Sequence, residues 1–310
     1  MKQDTTNYVS FTCNFAKYRW FKPLLTGLLC VVFYLLFTIV IGAIVGIYAG
    51  LTGDYESIQA IAAAGAGYDA FDAYSVGGAL LTLGGIAVGI PALILANLCT
   101  RWRPFSSYVS TSGKFKVGDF FKYILLALVI IGIPNAVFVL IEDPVFGPVH
   151  FTVAGFILCL ILGPLQCAAE EFVFRGLEMQ ALGGWFKIPL LAVVLQAVPF
   201  MLAHPYNIWG KLEVLFTGIV LGLLAYLTNG LEASIALHIV NNMVLFIMNG
   251  FGFESIQTEV PPSSFFTVVV FESVLVAGVL FFQKKGWVSK HALLLKEPVA
   301  APVVNGGNVQ

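Results

Sequence analysis

Charge is what this sequence is short of. Only 11% of its 310 residues are Asp, Glu, Lys or Arg, against about 25% in a soluble domain, while 59% are hydrophobic. A formal net charge of -1, with no clustered Lys and Arg, excludes a general polycation. Nucleic acid is excluded with it, because phosphate binding needs cations gathered on one face. Cysteine is scarce as well: Cys13, Cys30, Cys99, Cys159 and Cys167 are odd in number and show no C-x-x-C spacing for zinc or redox work. They read as small buried hydrophobes. Nor is there a soluble domain, since the longest polar interruption, residues 52–74, is short and rich in Ala and Gly.

What is present is long apolar runs. A hydrocarbon core about 30 Å thick takes roughly 20 apolar residues per helix, so eight spans are expected, near 23–50, 75–100, 120–141, 151–182, 188–204, 212–228, 231–249 and 265–283. The fold class is all-α, a polytopic transmembrane bundle of about eight helices. Its first run is too long for a cleaved signal peptide and is read as an anchor. Lys and Arg fall on alternate loops: Lys2, Lys17, Arg19 and Lys22; Arg101, Arg103, Lys114 and Lys116; Lys187; then Lys284, Lys285, Lys290 and Lys296. The loops between carry Asp54, Glu56, Asp69 and Asp72, then Glu142 and Asp143, then Glu254 and Glu259, with Lys211 the exception. The bias places both termini in the cytoplasm, and a prokaryotic plasma membrane is expected. Residues 1–22 form a cytoplasmic segment, 23–150 the N-terminal helices, 151–250 the core with the chemistry, 251–296 the last helix and its flank, and 297–310 a disordered tail. The pairs Gly42 and Gly46, Gly85 and Gly89, and Gly218 and Gly222 read as plain helix packing.

Ionisable groups are expensive in hydrocarbon, so each one inside a span is a functional hypothesis. The fourth span holds Glu170-Glu171-Phe172-Val173-Phe174-Arg175. Residues four apart share a helix face, so Arg175 pairs with Glu171, and Glu170, turned by about 100°, is the freer carboxylate. The fifth span closes on Phe200-Met201-Leu202-Ala203-His204 after a bend at Pro199, and the seventh holds His238-Ile239-Val240-Asn241-Asn242, with His238 and Asn242 on one face. Taken singly, each has a plainer reading as a span end, a cap or an interhelical clamp. Together they supply a carboxylate, two imidazoles and an amide, enough to activate a water and stabilise an oxyanion.

Glu170-Glu171-x-x-x-Arg175, Phe200-x-x-x-His204 and His238-x-x-x-Asn242, in that order, resemble the three motifs of the CAAX prenyl protease and bacteriocin-processing family (CPBP, also called Abi), over roughly residues 155–249. Two positions depart from it: Gln196 stands where a small residue is expected, and Thr228-Asn229-Gly230 expands a Thr-Gly turn by one residue. The resemblance implies an intramembrane endopeptidase in which Glu170 and His204 activate water, His238 and Asn242 hold the oxyanion, and Glu171 and Arg175 support. Its substrate would be a membrane-anchored peptide or protein, met within the bilayer. The cofactor is open, none or zinc. Glu170, His204 and His238 are a plausible zinc set for a metalloprotease, although the H-E-x-x-H spacing is missing. Two other classes stay open: a proton-coupled transporter, for which no repeat between the halves is found, and a non-catalytic immunity or scaffold protein. Glu272, deep in the last span, has no role under any of them.

Overall fold

A computed structural model describes residues 7–54, 74–142, 147–253 and 259–291. Eight apolar helices follow one another: α1 Lys22–Thr52, α2 Val76–Thr100, α3 Val117–Ile141, α4 Val153–Phe186, α5 Pro189–Leu202, α6 Ile208–Thr228, α7 Glu232–Gly250 and α8 Pro262–Lys284. Seven are long and apolar enough to cross a membrane; α5 is not. At 1.5 Å per residue it reaches about 20 Å of the roughly 30 Å required. The crossing expected over 188–204 is therefore a partial one. Among the described residues there is no strand, only an isolated bridge between Ser110 and Gly230. The tail 297–310, the basic residues Lys2 and Lys296, and the acidic residues Glu56, Asp69, Asp72, Asp143 and Glu254 lie outside the described residues.

Local chemistry explains where helices stop or bend. Helix α1 ends at Gly53, whose φ of 73° costs glycine nothing. In α5 the regular helix is interrupted at Gln196, between Pro189–Leu195 and Ala197–Leu202. Pro199 has no N–H for the carbonyl four residues back, and its ring crowds that carbonyl. The bend expected at Pro199 thus falls one turn earlier. Helices α2, α3 and α4 each contain a π-helical stretch: Leu80–Gly84, Leu128–Gly132 and Glu171–Met179.

Burial orders the bundle around α7. Over their most apolar stretches, α7 is 56% buried and α1 only 11%, so α7 is the axis and α1 an outer helix. Helix α7 packs on α3, α4 and α6, while α6 also packs on α5 and α8. On α1, Leu28, Leu35, Ile39 and Ile47 point outward, an apolar face too large for water and suited to lipid. Close approach depends on small residues. A Cβ on Gly132 would lie 3.0 Å from Val240, and one on Gly218 2.9 Å from Ala197. Of the expected glycine pairs, Gly89, Gly218 and Gly222 face neighbouring helices, whereas Gly42 and Gly85 meet nothing within 4 Å.

The connections rich in Lys and Arg gather at one end, here called the basic end, and both terminal segments are buttoned into it. Asn229, the extra residue of the expanded turn, has φ 58°. Its side chain accepts from the Tyr8 N–H at 3.0 Å and donates to the His291 carbonyl at 3.2 Å, and its own carbonyl accepts from the Thr111 N–H at 2.9 Å. His291 also bonds Glu232, the first residue of α7, at 2.8 Å and Ser112 at 2.6 Å. Tyr8, Val9, Ser10 and Thr12 are buried, and the Thr12 hydroxyl donates to the Gln180 carbonyl at 3.2 Å. This end fixes the base of the axial helix.

Candidate active site

Helix α4 runs unbroken for 34 residues, about 51 Å at 1.5 Å per residue, which carries Glu170 to its middle. Directly after Glu170 the helix widens into the π-helical stretch Glu171–Met179, a local geometry found mostly at functional sites. Arg175 Nη1 donates to Glu171 Oε1 at 2.9 Å, with both side chains fully buried. The pairing expected from the sequence is present. The same oxygen bonds His238 Nδ1 at 2.8 Å, so Glu171 ties α4 to α7. A carboxylate facing Nδ1 places a proton on that nitrogen and sets the ring's orientation. On the other side of the imidazole, Nε2 lies 3.3 Å from Glu170 Oε2. Among the described residues that oxygen and Glu171 Oε2 are both buried without a hydrogen-bond partner; Glu170 is the freer carboxylate because Glu171 Oε1 takes two bonds.

Arg175 extends the network to α6, donating from Nη2 to the Gly218 carbonyl at 3.2 Å. Its guanidinium also lies 4.3 Å over the Phe200 ring, which links it to α5. Phe200 stands between the two histidines, with ring centroids 4.9 Å from His204 and 6.0 Å from His238. Among the described residues no hydrogen bond joins His204 to Glu170; His204 Nδ1 bonds the Phe200 carbonyl at 2.8 Å. Since a carbonyl only accepts, Nδ1 carries the hydrogen in that bond. Asn242 lies one turn beyond His238 on α7; its side-chain oxygen accepts from Asn241 at 3.3 Å, and it also meets the Cys167 thiol. The structure thus joins Glu170, Glu171, Arg175 and His238 directly, His204 through Phe200, and Asn242 through α7 and Cys167.

Several neighbours have contacts that the sequence reading did not assign. Gln196, fully buried, donates to the Val193 and Gly218 carbonyls, each at 2.8 Å, and so shares Gly218 with Arg175. A small residue there would leave that carbonyl to Arg175 alone. Cys167 contacts a site residue instead of serving as a plain apolar filler. Tyr206 stacks on His204 with centroids 6.0 Å apart and planes 20° apart. Burial pushes the Tyr206 phenol up, and Glu213 and Glu170 push it further. A polar residue in an apolar run was a signal for Gln196; nothing in the sequence marked Tyr206. Glu272, buried in α8, accepts from the Thr217 hydroxyl at 2.8 Å, next to Gly218 on the chain.

The donors for zinc can be tested against this geometry. Glu170 and His238 face each other, and Glu171 holds the far nitrogen of His238 as an outer carboxylate does in histidine metal sites. His204 does not complete the set, and among the described residues no three His, Cys, Asp or Glu side chains form a group able to hold a metal. Two of the three ligands are in place and the third is not, so no step is routed through a metal.

Fold and site together define a multi-pass integral membrane protein whose buried carboxylates and histidine meet inside the helical bundle. Residues 149–244 match the family model described as type II CAAX prenyl endopeptidase Rce1-like. Glu170, Glu171, Arg175, His204, His238 and Asn242 all lie within that segment. Among curated proteins, the uncharacterized protein YyaK of Bacillus subtilis (strain 168) is 30% identical over 168 residues, covering 50% of this chain and 56% of that protein. The match therefore spans a little over half of the relative's length. No solved structure matches.

Proposed function

We propose that this protein is an intramembrane endopeptidase that hydrolyses peptide bonds of membrane-associated substrates with a Glu/His-activated water. The observation that carries the reading is His238 held between Glu171 at 2.8 Å and Glu170 at 3.3 Å, in a segment that matches a family of prenyl endopeptidases. Glu170 takes a proton from the attacking water and returns it to the leaving amine. His204, with Nδ1 committed to the Phe200 carbonyl, offers Nε2 as an acceptor to the same water. His238 and Asn242 donate to the oxyanion as it forms. Glu171 and Arg175 hold His238 in place. Both termini, and hence the basic end, lie in the cytoplasm of a prokaryotic cell.

The test is incubation of the detergent-purified protein with a library of membrane-anchored peptides, beside its Glu170→Ala form. Cleavage by the native protein alone is expected; equal cleavage by both refutes the reading. We favour a route without metal, because Asn242 is a good amide donor and a poor zinc ligand. Elemental analysis of active protein checks this: zinc present in stoichiometric amount, lost with activity on chelation and restored on refilling, refutes the preference.

A proton-coupled carrier is the second reading, favoured by Glu272 and Glu213, which among the described residues bond only the Thr217 and Ser264 hydroxyls, at 2.8 Å each, across the α6–α8 interface. Proton uptake by proteoliposomes that is abolished by Glu272→Gln, without peptide cleavage, would select it.

A further inference from the structure

The reading above gives His204 a task but leaves open what holds its ring, since His204 follows the end of α5 in a turn, where no helix constrains it. We propose that Tyr206 is the positioning residue for His204, its aromatic ring forming the wall against which the imidazole is held with Nε2 free. The catalytic consequence rests on the hydrolytic reading; the stacking does not. The two rings are 6.0 Å apart at 20°, an offset stack of the kind aromatic pairs favour. Phe200 meets the imidazole nearly edge-on, at 4.9 Å and 63°, and its carbonyl takes the Nδ1 hydrogen. With one face on Tyr206, another contact on Phe200 and one nitrogen bonded, the ring has a single polar atom without a partner among the described residues.

The turn is built around Tyr206. A Cβ on Gly210 would sit 2.6 Å from the Tyr206 Cβ, so glycine there leaves the room that the tyrosine occupies. The adjacent Asn207 caps α6 by accepting from the Gly210 N–H at 2.9 Å, and it donates to the Val260 carbonyl at 2.9 Å and to Glu259 at 3.0 Å. The Tyr206 backbone is thereby fixed on its C-terminal side and Pro205 restricts it on the other. Its phenol lies within the field of both Glu170 and Glu213, which places the ring beside the site and not away from it.

The experiment compares the native protein with Tyr206→Phe and Tyr206→Leu by two readouts. The first is the rate of diethyl pyrocarbonate modification at each histidine, followed by mass spectrometry. His204 in Tyr206→Leu should react several times faster than in the native protein, while exposed His150 and buried His238 and His291 keep their rates, which shows that the variant is folded. Tyr206→Phe retains the ring and should match the native protein. The second is peptide hydrolysis: kcat should fall about tenfold in Tyr206→Leu with KM unchanged, a loss in the range that small misplacements cause, and recover in Tyr206→Phe. An unchanged His204 rate in Tyr206→Leu overturns the proposal, and so does a Tyr206→Phe form with altered His204 reactivity, which would survive as a test if the leucine form failed to fold. The expected change in labelling together with no hydrolysis by the native protein would support the positioning role and defeat the endopeptidase reading.

Discussion

Two adjacent glutamates in α4 have opposite dependencies. Glu171 Oε1 receives Arg175 and His238 within 2.9 Å, with Glu171 and Arg175 fully buried, whereas Glu170 faces only His238 Nε2, at 3.3 Å, among the described residues. Removing one member of a buried ion pair leaves the other charge uncompensated and costs about 3–5 kcal/mol. Glu171→Gln and Arg175→Ala are therefore expected to lower both folded yield and activity, as read by thermal unfolding in detergent beside turnover. Glu170→Gln should behave the other way, keeping its thermal midpoint while losing about 10²- to 10⁴-fold in turnover, the usual worth of a general base. If Glu170→Gln unfolds as readily as Glu171→Gln, the division between supporting and reacting carboxylates is wrong. The Glu171–Arg175 pair was legible, since four-residue spacing pairs the two on any helix. The bond from Glu171 to His238 was not, because it joins residues 67 positions apart through a helix contact that no local pattern encodes.

At the scale of elements, the site depends on how closely α5 and α6 approach. Gly218 faces Ala197 and Phe200, where an added Cβ would lie 2.9 and 3.2 Å away, and its carbonyl takes both Arg175 and Gln196. Gly218→Ala should push α5 outward and carry Phe200 and His204 with it. Overpacking of this kind costs about 1–3 kcal/mol, so the variant is expected to fold with a lowered midpoint and with turnover reduced by more than the folded fraction explains. Native turnover per folded molecule would show that the α5–α6 spacing does not matter to the site. The long helices were readable because length and apolarity are properties of a single segment. Helix α5 was readable as a segment but not as an incomplete crossing, since its interruption at Gln196 follows from Pro199 one turn later.

For the whole molecule, the basic connections and both described ends of the chain gather at one end of the bundle. A reporter fused after Gln310 should be active only when it reads the cytoplasmic side; activity on the outer side would invert the assignment. Both described ends of the chain meet at one residue, since Asn229 bonds Tyr8 and His291 through opposite atoms of its amide. This arrangement has a mechanical consequence. A force that pulls the two ends of the chain apart, as in a single-molecule stretching experiment, does not reach α1 or α8 first. It loads the Asn229 amide from both sides, so the fastening at the basic end must rupture before either outer helix is drawn from the bilayer. With Asn229→Ala the first rupture should come at lower force, while the later extraction steps of the helices keep theirs.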